Sequence, residues 1–260
     1  MKQEDYQGED GLLYCGKCHS RKQLKIVLFG KEQIVSSLCH CEEERIKKEE
    51  EIKRKKEEMQ RIGRLKASCI HDRALLQCTF SRDDGSLPQI GSAKRYVETW
   101  ETRKANNDGL LLWGPVGTGK TFYAGCIANA LIERNVPVLM TNFSKILNRM
   151  SGLYSDDRNV YVSQIVKYPL LIIDDFGIER NSAYALEQVY NIIDERYKAR
   201  LPLIVTTNLS LYSLKTPPDT MHQRIYDRVL SMCVPVKFDG ASHRRPEAEK
   251  KYRECRALFV

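Results

Sequence analysis

Five short apolar runs punctuate the chain from residue 110 onward, at 110–113, 137–142, 169–174, 202–207 and 233–238. Each is bounded by glycine, proline or polar residues, which predicts buried strands. Between them the apolar positions change to helical spacing, over Thr121–Ala130, Phe143–Leu153, Ser182–Arg200 and Met221–Met232. In the third of these, Leu186, Val189, Ile192 and Ile193 share one side. Upstream, Ser92 reads as the N-cap of a helix running to about Asn106, and Asn107-Asp108-Gly109 turns the chain into the first strand. A loop with Asp83, Asp84, Gly85 and Pro88 precedes that helix. Nearer the N-terminus, Gln23–Phe29 and Gln33–Leu38 read as two strands joined at Gly30-Lys31-Glu32. From Glu42 to Lys66 the chain is dense in Glu, Lys and Arg, with a sparse apolar stripe of Ile46, Ile52, Met59, Ile62 and Leu65. That pattern predicts a solvated helix supported by ion pairs four residues apart. It is either a connector or a contact for a partner or nucleic acid, and Gly63 is a candidate hinge.

The first apolar run leads straight into candidate chemistry. Strand, glycine-rich loop and helix meet at Gly114-Pro115-Val116-Gly117-Thr118-Gly119-Lys120-Thr121-Phe122. This is the G-x-x-x-x-G-K-[ST] pattern in its required context. Glycines let successive backbone N–H groups approach phosphate oxygens, and the helix N-terminus behind them adds partial positive charge. Lys120 would reach the β- and γ-phosphates of ATP, and the Thr121 hydroxyl would hold Mg²⁺. The alternative is a chance glycine-rich turn before a core helix.

The third run ends in two carboxylates, Asp174 and Asp175, the Walker B pattern. Asp174 would hold the Mg²⁺ coordination sphere, and Asp175 sits where a second acid polarises an attacking water. Read blandly, they are a capping pair after a core strand. The fourth run ends in Thr206-Thr207-Asn208, which places Asn208 beside those acids, able to orient the water or sense the γ-phosphate. Arg224 and Arg228 follow on the last helix, and Arg244 and Arg245 open a basic tail. An arginine fork suits phosphate oxygens, although most exposed arginines serve no such role.

Composition changes the picture at the N-terminus. Nine cysteines occur among 260 residues. No apolar run approaches the ~20 residues that cross a bilayer, and the start of the chain is acidic and polar rather than a signal peptide. A cytoplasmic protein with no membrane partner is expected, and cysteines there point to metal ligands or buried thiols. Cys15-Gly-Lys-Cys18 is a tight turn, and the predicted hairpin would return Cys39-His-Cys41 beside it. Four thiolates could then close a tetrahedral Zn²⁺ site, with His19 and His40 as possible substitutes. Buried free cysteines are the other reading. The net charge of +8 points toward an anionic partner such as nucleic acid, but a merely solvated basic surface has the same charge.

In order and spacing these motifs resemble those of the DnaC/DnaI-type replicative helicase loaders, their phage-encoded relatives, and the IstB-like transposition helper ATPases, all AAA+ ATPases of the initiator clade. The likeness rests on Gly114–Thr121, Leu170–Gly177, Thr206–Asn208, Arg224-Ile-Tyr-Asp-Arg228 and the stretch from Phe238 to Arg244, and covers nearly all of residues 75–246. It implies an α/β fold: an AAA+ P-loop NTPase domain over 67–260, with a five-stranded parallel sheet and helices on both faces. A small zinc-binding module at 1–41 and a charged helical linker at 42–66 would precede it. By position, Asn208 resembles sensor 1, and Arg228 the arginine finger that acts on ATP held by a neighbouring subunit, with Arg224 as second candidate. Arg244 resembles the sensor 2 arginine, acting in cis. One departure is Asp174-Asp175 where many AAA+ proteins have Asp-Glu, and the shorter acid implies slow hydrolysis.

The implied function is ATP-dependent loading of a replicative hexameric DNA helicase onto single-stranded DNA at replication initiation. Self-association would run through the ATPase domain, and ATP would act as a switch. The cysteine-rich start is similar to the helicase-binding domain of the DnaI-like members, which IstB-like proteins usually lack. Three other classes stay open: a transposition helper acting on duplex DNA with a transposase, a P-loop kinase for a small metabolite, and a zinc adaptor with an inactive nucleotide site. Walker B followed by Thr-Thr-Asn argues against the kinase. Lys145, Arg149 and Arg158 are basic candidates for DNA contact.

Overall fold

A computed structural model describes residues 4–70, 72–85, 87–177, 182–243 and 252–256. The chain divides into two compact units, Met1–Arg61 and Ile62–Val260. Arg244 and Arg245 lie outside the described residues.

In the first unit, β1 (Tyr6–Gln7) and β2 (Leu13–Tyr14) pair antiparallel, with the Tyr6 and Tyr14 rings stacked 5.8 Å apart. A longer hairpin follows, β3 (Gln23–Leu28) against β4 (Lys31–Ser36). Its turn is tighter than the Gly30-Lys31-Glu32 joint expected above. Lys31 and Glu32 are strand residues facing Leu28 and Val27, and the turn is Phe29-Gly30 alone. Both turn residues have positive φ, 52° and 77°. A two-residue turn of that hand matches the twist of the strands it joins. Helix α1 (His40–Cys69) then runs unbroken through Gly63, longer at both ends than the charge pattern suggested and without a hinge. Arg45–Glu49 and Lys55–Glu51 form the expected pairs, at 3.2 and 2.6 Å.

The second unit is built on a sheet of five parallel strands in the order β6-β7-β8-β5-β9: β6 (Val138–Thr141), β7 (Leu170–Phe176), β8 (Leu203–Thr207), β5 (Gly109–Trp113) and β9 (Cys233–Lys237). The apolar runs are continuous because both sheet faces are covered. Leu111, Ile173 and Val205 face one buried cluster, and their neighbours Leu112, Ile172 and Ile204 face the other. The first cluster packs under α5 (Phe143–Ser151), α6 (Ser155–Val166), α7 (Ala183–Ala199) and α9 (Thr220–Met232). The second packs under α2 (Ile90–Glu98), α3 (Trp100–Asn106) and α4 (Lys120–Glu133). A short α8 (Leu211–Lys215) leads from β8 toward α9.

Three details differ from the sequence pattern. The single helix expected from Ser92 to Asn106 is two, broken at Thr99. Ser92 is no cap. It lies inside α2, where its hydroxyl donates to Gln89 O at 2.7 Å and meets the Tyr123 hydroxyl at 2.8 Å. Helix α6 has no counterpart in the pattern, because it carries no clear amphipathic stripe and buries only Ile165 and Val166 at its end. Strand β5 starts one residue early, at Gly109, where a Cβ would lie 2.3 Å from Leu203 O and 2.7 Å from Met232 O.

One buried charge organises the start of two strands. Arg196 on α7 is fully enclosed. Nη1 donates to Val166 O at 2.7 Å and Tyr168 O at 2.5 Å, while Nη2 donates to Pro169 O at 3.1 Å and to Pro202 O. These carbonyls stand just before β7 and β8, and of the four only Pro202 O also accepts across the sheet, from Leu171 N at 3.5 Å. Burial pushes the guanidinium down to about 9, so it stays charged at neutral pH. A lysine has no planar fork to serve four carbonyls at once. Arg196→Lys should cost about 2–4 kcal/mol, read as a lower urea midpoint with an unchanged slope. A change under about 0.5 kcal/mol would remove Arg196 from this role.

Candidate functional site

Strand β5 ends at Trp113, and α4 begins seven residues later at Lys120. The loop between them turns through Gly114, Gly117 and Gly119, at φ 144°, 85° and 91°. Glycine is also required here by neighbouring groups. A Cβ on Gly114 would lie 1.9 Å from Phe238 O, on Gly117 2.2 Å from Ser242 Oγ, and on Gly119 2.5 Å from Leu87 Cδ2. The segment after β9 is stitched to the loop: Phe238 N donates to Trp113 O at 2.8 Å and His243 N to Gly117 O at 2.9 Å. Lys120 is nearly enclosed, at 5% exposure, and its Nζ donates to Gly114 O and Pro115 O, each at 2.7 Å. Thr118 Oγ1 donates to Pro115 O at 2.9 Å.

Opposite the loop stands the end of β7. A register shift against β8 between Ile173 and Phe176 sends the two acids different ways. Asp174 Oδ1 accepts from Thr121 Oγ1 at 2.9 Å and from Thr206 Oγ1 at 2.6 Å. Asp175 adopts φ 54° and is exposed on the cleft, while its N–H donates to Thr206 Oγ1 at 2.9 Å. A left-handed non-glycine residue stores some strain, and such residues gather at functional positions. Asn208, one residue beyond β8, is exposed on the same cleft. Thr207 Oγ1 donates to Phe176 O at 2.7 Å and accepts from Leu209 N at 3.1 Å, which ties the two strand ends together.

The loop, Asp175 and Asn208 line one open cleft of about 280 Å³, and Asp174 stands behind its lining, bonded to Thr121. Lys120, Thr121, Asp175 and Asn208 supply polar groups, while Leu87, Val116 and Phe122 supply apolar ones. Arg82, Asp83, Asp84 and His243 also line it. Sequence reasoning missed these four and Leu87. The acids at 83 and 84 read as a plain loop, and contact across more than thirty positions leaves no local signal. The donor set fits a magnesium nucleotide: a hydroxyl and a carboxylate 2.9 Å apart for the cation, and an ammonium with open backbone turns for phosphate.

The arginines of α9 stand apart. Arg224 is exposed. Arg228 is not among the cleft residues but packs against α7, 2.6 Å from Asp194 Oδ1, 3.4 Å from the Tyr190 hydroxyl and 4.9 Å from the Tyr197 ring centre. Nothing in the described residues of one chain brings it to the cleft.

In the first unit, Cys15, Cys18, Cys39 and Cys41 converge, with all four Sγ atoms within 4.8 Å of one another. Cys15–Cys41 and Cys39–Cys41 are 3.6 and 3.4 Å apart, so the thiols are unbonded. Bonds of 2.3 Å to one zinc ion would set sulfur separations of about 3.8 Å, which this cluster fits. Ser20 Oγ, 3.1 Å from Cys18 Sγ, pushes that thiol down to about 5, while hydrogen bonding with Cys39 and Cys15 pushes Cys41 up to about 12. Such close thiols cannot all ionise without a cation among them. His19 faces the Tyr6 hydroxyl at 3.1 Å and His40 faces Glu44 at 3.2 Å, so neither substitutes as a ligand.

With this geometry in hand, similarity to known proteins is informative. The family model described as IstB-like ATP binding protein matches residues 29–251. The replicative helicase loader DnaI of Bacillus subtilis is 26% identical over 211 residues, covering 75% of this chain and 67% of that one. An insertion-sequence protein of Mycobacterium tuberculosis, named for ATP binding, is 27% identical over 164 residues, covering 62% of each. A crystal structure of DnaI superposes with a TM-score of 0.55 at 28% identity, over 66% of this chain and 94% of that one.

Thr206 has the most exposed role to test, because its hydroxyl serves both acids. Thr206→Val keeps the shape and leaves the Asp175 N–H and one lone pair of Asp174 unmatched. It should cost about 1–2 kcal/mol of stability and shift the Mg²⁺ dependence of nucleotide binding several-fold upward, read by titrating a fluorescent ATP analogue. An unchanged Mg²⁺ titration would show that Thr206 does not place the acids.

Proposed function

The chain belongs to the IstB-like ATP-binding protein family, and on that premise we propose that it is an ATP-dependent loader of a replicative DNA helicase. The observation that carries this reading is the combination of two things in one chain: a cleft whose donors fit a magnesium nucleotide and a four-cysteine module ahead of it. The cleft alone would suit a transposition helper equally well. The module is what tips the choice toward the loader.

Each part has work to do in this reading. ATP lies in the cleft with its phosphates along the glycine loop, and Lys120 turns from its carbonyls toward the anion. Thr121 and Asp174 hold Mg²⁺, which neutralises phosphate charge. Asp175 and Asn208 address the attacking water. Asp175 is short and held in a left-handed backbone, so hydrolysis is slow. Arg228 completes the site of a neighbouring copy, as its place outside the cleft of its own chain suits. The γ-phosphate thereby favours an assembled state, and hydrolysis releases it. Arg244 was assigned to the same nucleotide in cis and lies outside the described residues.

Zinc on the four cysteines stabilises a unit with little core of its own. The hairpin beside it shows Leu24, Val27, Leu28, Phe29 and Ile34 to solvent, and Phe29 is 100% exposed. So much apolar surface on a two-stranded ribbon suits a protein partner, here the hexameric helicase. Single-stranded DNA finds exposed Lys145 and Arg149 on α5, and Tyr154 just before α6 at 86% exposure, a surface on which a base can stack. Arg158 is the weaker of the three basic candidates, because its Nε donates to Met150 O and Leu153 O, both at 2.9 Å. The second reading, a transposition helper, is favoured by the insertion-sequence relative.

Two measurements test this. Intact protein, a chain lacking residues 1–61 and Cys39→Ser are each incubated with the replicative helicase of the source organism and ATP, then captured. Capture by the intact chain alone is expected, with one zinc ion per intact chain by elemental analysis. Capture by none of them sinks the loader reading and leaves transposase and duplex DNA as the partners to try. Separately, Lys120→Ala should lower ATP affinity at least tenfold in the same fluorescent titration, and undiminished binding would remove the cleft from the account.

A further inference from the structure

Tyr190, Asp194 and Tyr197 fall on one face of α7, four and then three residues apart. All three meet the same guanidinium. Arg228 Nη2 lies 2.6 Å from Asp194 Oδ1 and 3.4 Å from the Tyr190 hydroxyl. The two tyrosine rings flank the charge, with centres at 4.9 Å for Tyr197 and 5.7 Å for Tyr190. Asp194 is itself buried and also receives Lys198 at 2.8 Å.

Three features set this apart from an ordinary clamp between two helices. The contact with Asp194 is a charge pair without an aligned hydrogen bond, and the enclosed Nε has no acceptor among the described residues. The side chain keeps 28% exposure. Its polar contacts among the described residues fall on one corner, Nη2. An arginine stem left to itself carries about 2 kcal/mol of rotamer entropy, which it loses on meeting a phosphate. Flat rings on two sides and one charge at a corner remove that freedom beforehand while leaving the fork able to bind.

We infer that Asp194, with the Tyr190 and Tyr197 rings, is a positioning residue that holds Arg228 ready for the nucleotide of a neighbouring copy. This rests on the reading that Arg228 acts in trans. It adds that the α7 face is part of the catalytic arrangement of the adjacent site, although none of its residues lines the cleft of its own chain. Asp194→Asn removes the charge and keeps the shape, so Arg228 should sample more rotamers and complete fewer sites.

The test uses mixed full-length chains. Lys120→Ala chains retain Arg228 but bind ATP poorly, and Arg228→Ala chains bind ATP but lack the arginine. Mixed together, they should hydrolyse ATP about tenfold faster than either alone. Using Lys120→Ala/Asp194→Asn as the donor should cut that restored rate about three- to tenfold, and Lys120→Ala/Tyr197→Leu should do likewise. Alone, Asp194→Asn should lower kcat while KM for ATP holds, a split that a merely structural residue would not produce. If Arg228→Ala fails to fold, Arg228→Lys replaces it, since an ammonium lacks the fork. Full restoration by the Asp194→Asn donor overturns the inference and leaves the trans role standing. No restoration by plain Lys120→Ala overturns both.

Discussion

One buried hydroxyl fixes the relation between the two acids on which the cleft depends. Thr206 Oγ1 donates to Asp174 and accepts from the amide of Asp175, so the carboxylate of one and the backbone of the other share a single anchor on the adjacent strand. The bulge that ends β7 is therefore a constrained feature. It turns one acid inward onto Thr121 and the other outward to solvent. Everything else in the second unit serves to bring β5, β7 and β8 side by side with their C-terminal ends level. The sheet can do this because its interior is apolar on both faces, which forces polar groups to the strand ends. Arg196 performs the matching service at the opposite end, where it gathers the carbonyls of Val166, Tyr168, Pro169 and Pro202 on one guanidinium.

The close approaches around the glycine loop carry a related lesson. Glycines in such a loop are usually explained by the phosphate they cradle. Here Gly114, Gly117 and Gly119 are each also pressed by protein, from Phe238, Ser242 and Leu87. The last two belong to segments far apart in the chain that line or flank the cleft. The loop is therefore backed by protein at each of these glycines, and Phe238 and His243 are hydrogen-bonded to it or to the strand that leads into it. His243 shares in this, since its N–H is bonded to the loop and its side chain lines the cleft.

How much of this was legible depended on range. Glycine turns, capping residues and continuous apolar runs act within a few positions, so the strands, the loop, Asp174-Asp175 and Asn208 could all be read from the chain. The cysteine pairs were legible for the same reason, because a hairpin returns its ends to one place. Strand order was not, since β5 lies between β8 and β9 through ladders to strands some ninety and more positions away. Arg196 looked like any arginine on an amphipathic helix, because only the fold puts four carbonyls around it. Ser92 had the composition of a cap and became part of a buried pair with Tyr123. Leu87 and His243 were invisible as site residues, as their partners lie tens of positions away.

The two arginines of α9 show why spacing and geometry answer different questions. Spacing identifies Arg224 and Arg228 as a pair one helical turn apart, and cannot rank them. Geometry gives them unlike surroundings. Arg224 stands in solvent, where its long stem must be ordered at the moment of use. Arg228 is already ordered by two rings and a carboxylate. For a group that meets its target only when two chains come together, prior ordering lowers the side-chain entropy lost at contact, about 0.5–1.5 kcal/mol for a long side chain. On that ground Arg228 is the better placed of the two, and the aromatic and acidic residues of α7 are part of the reason.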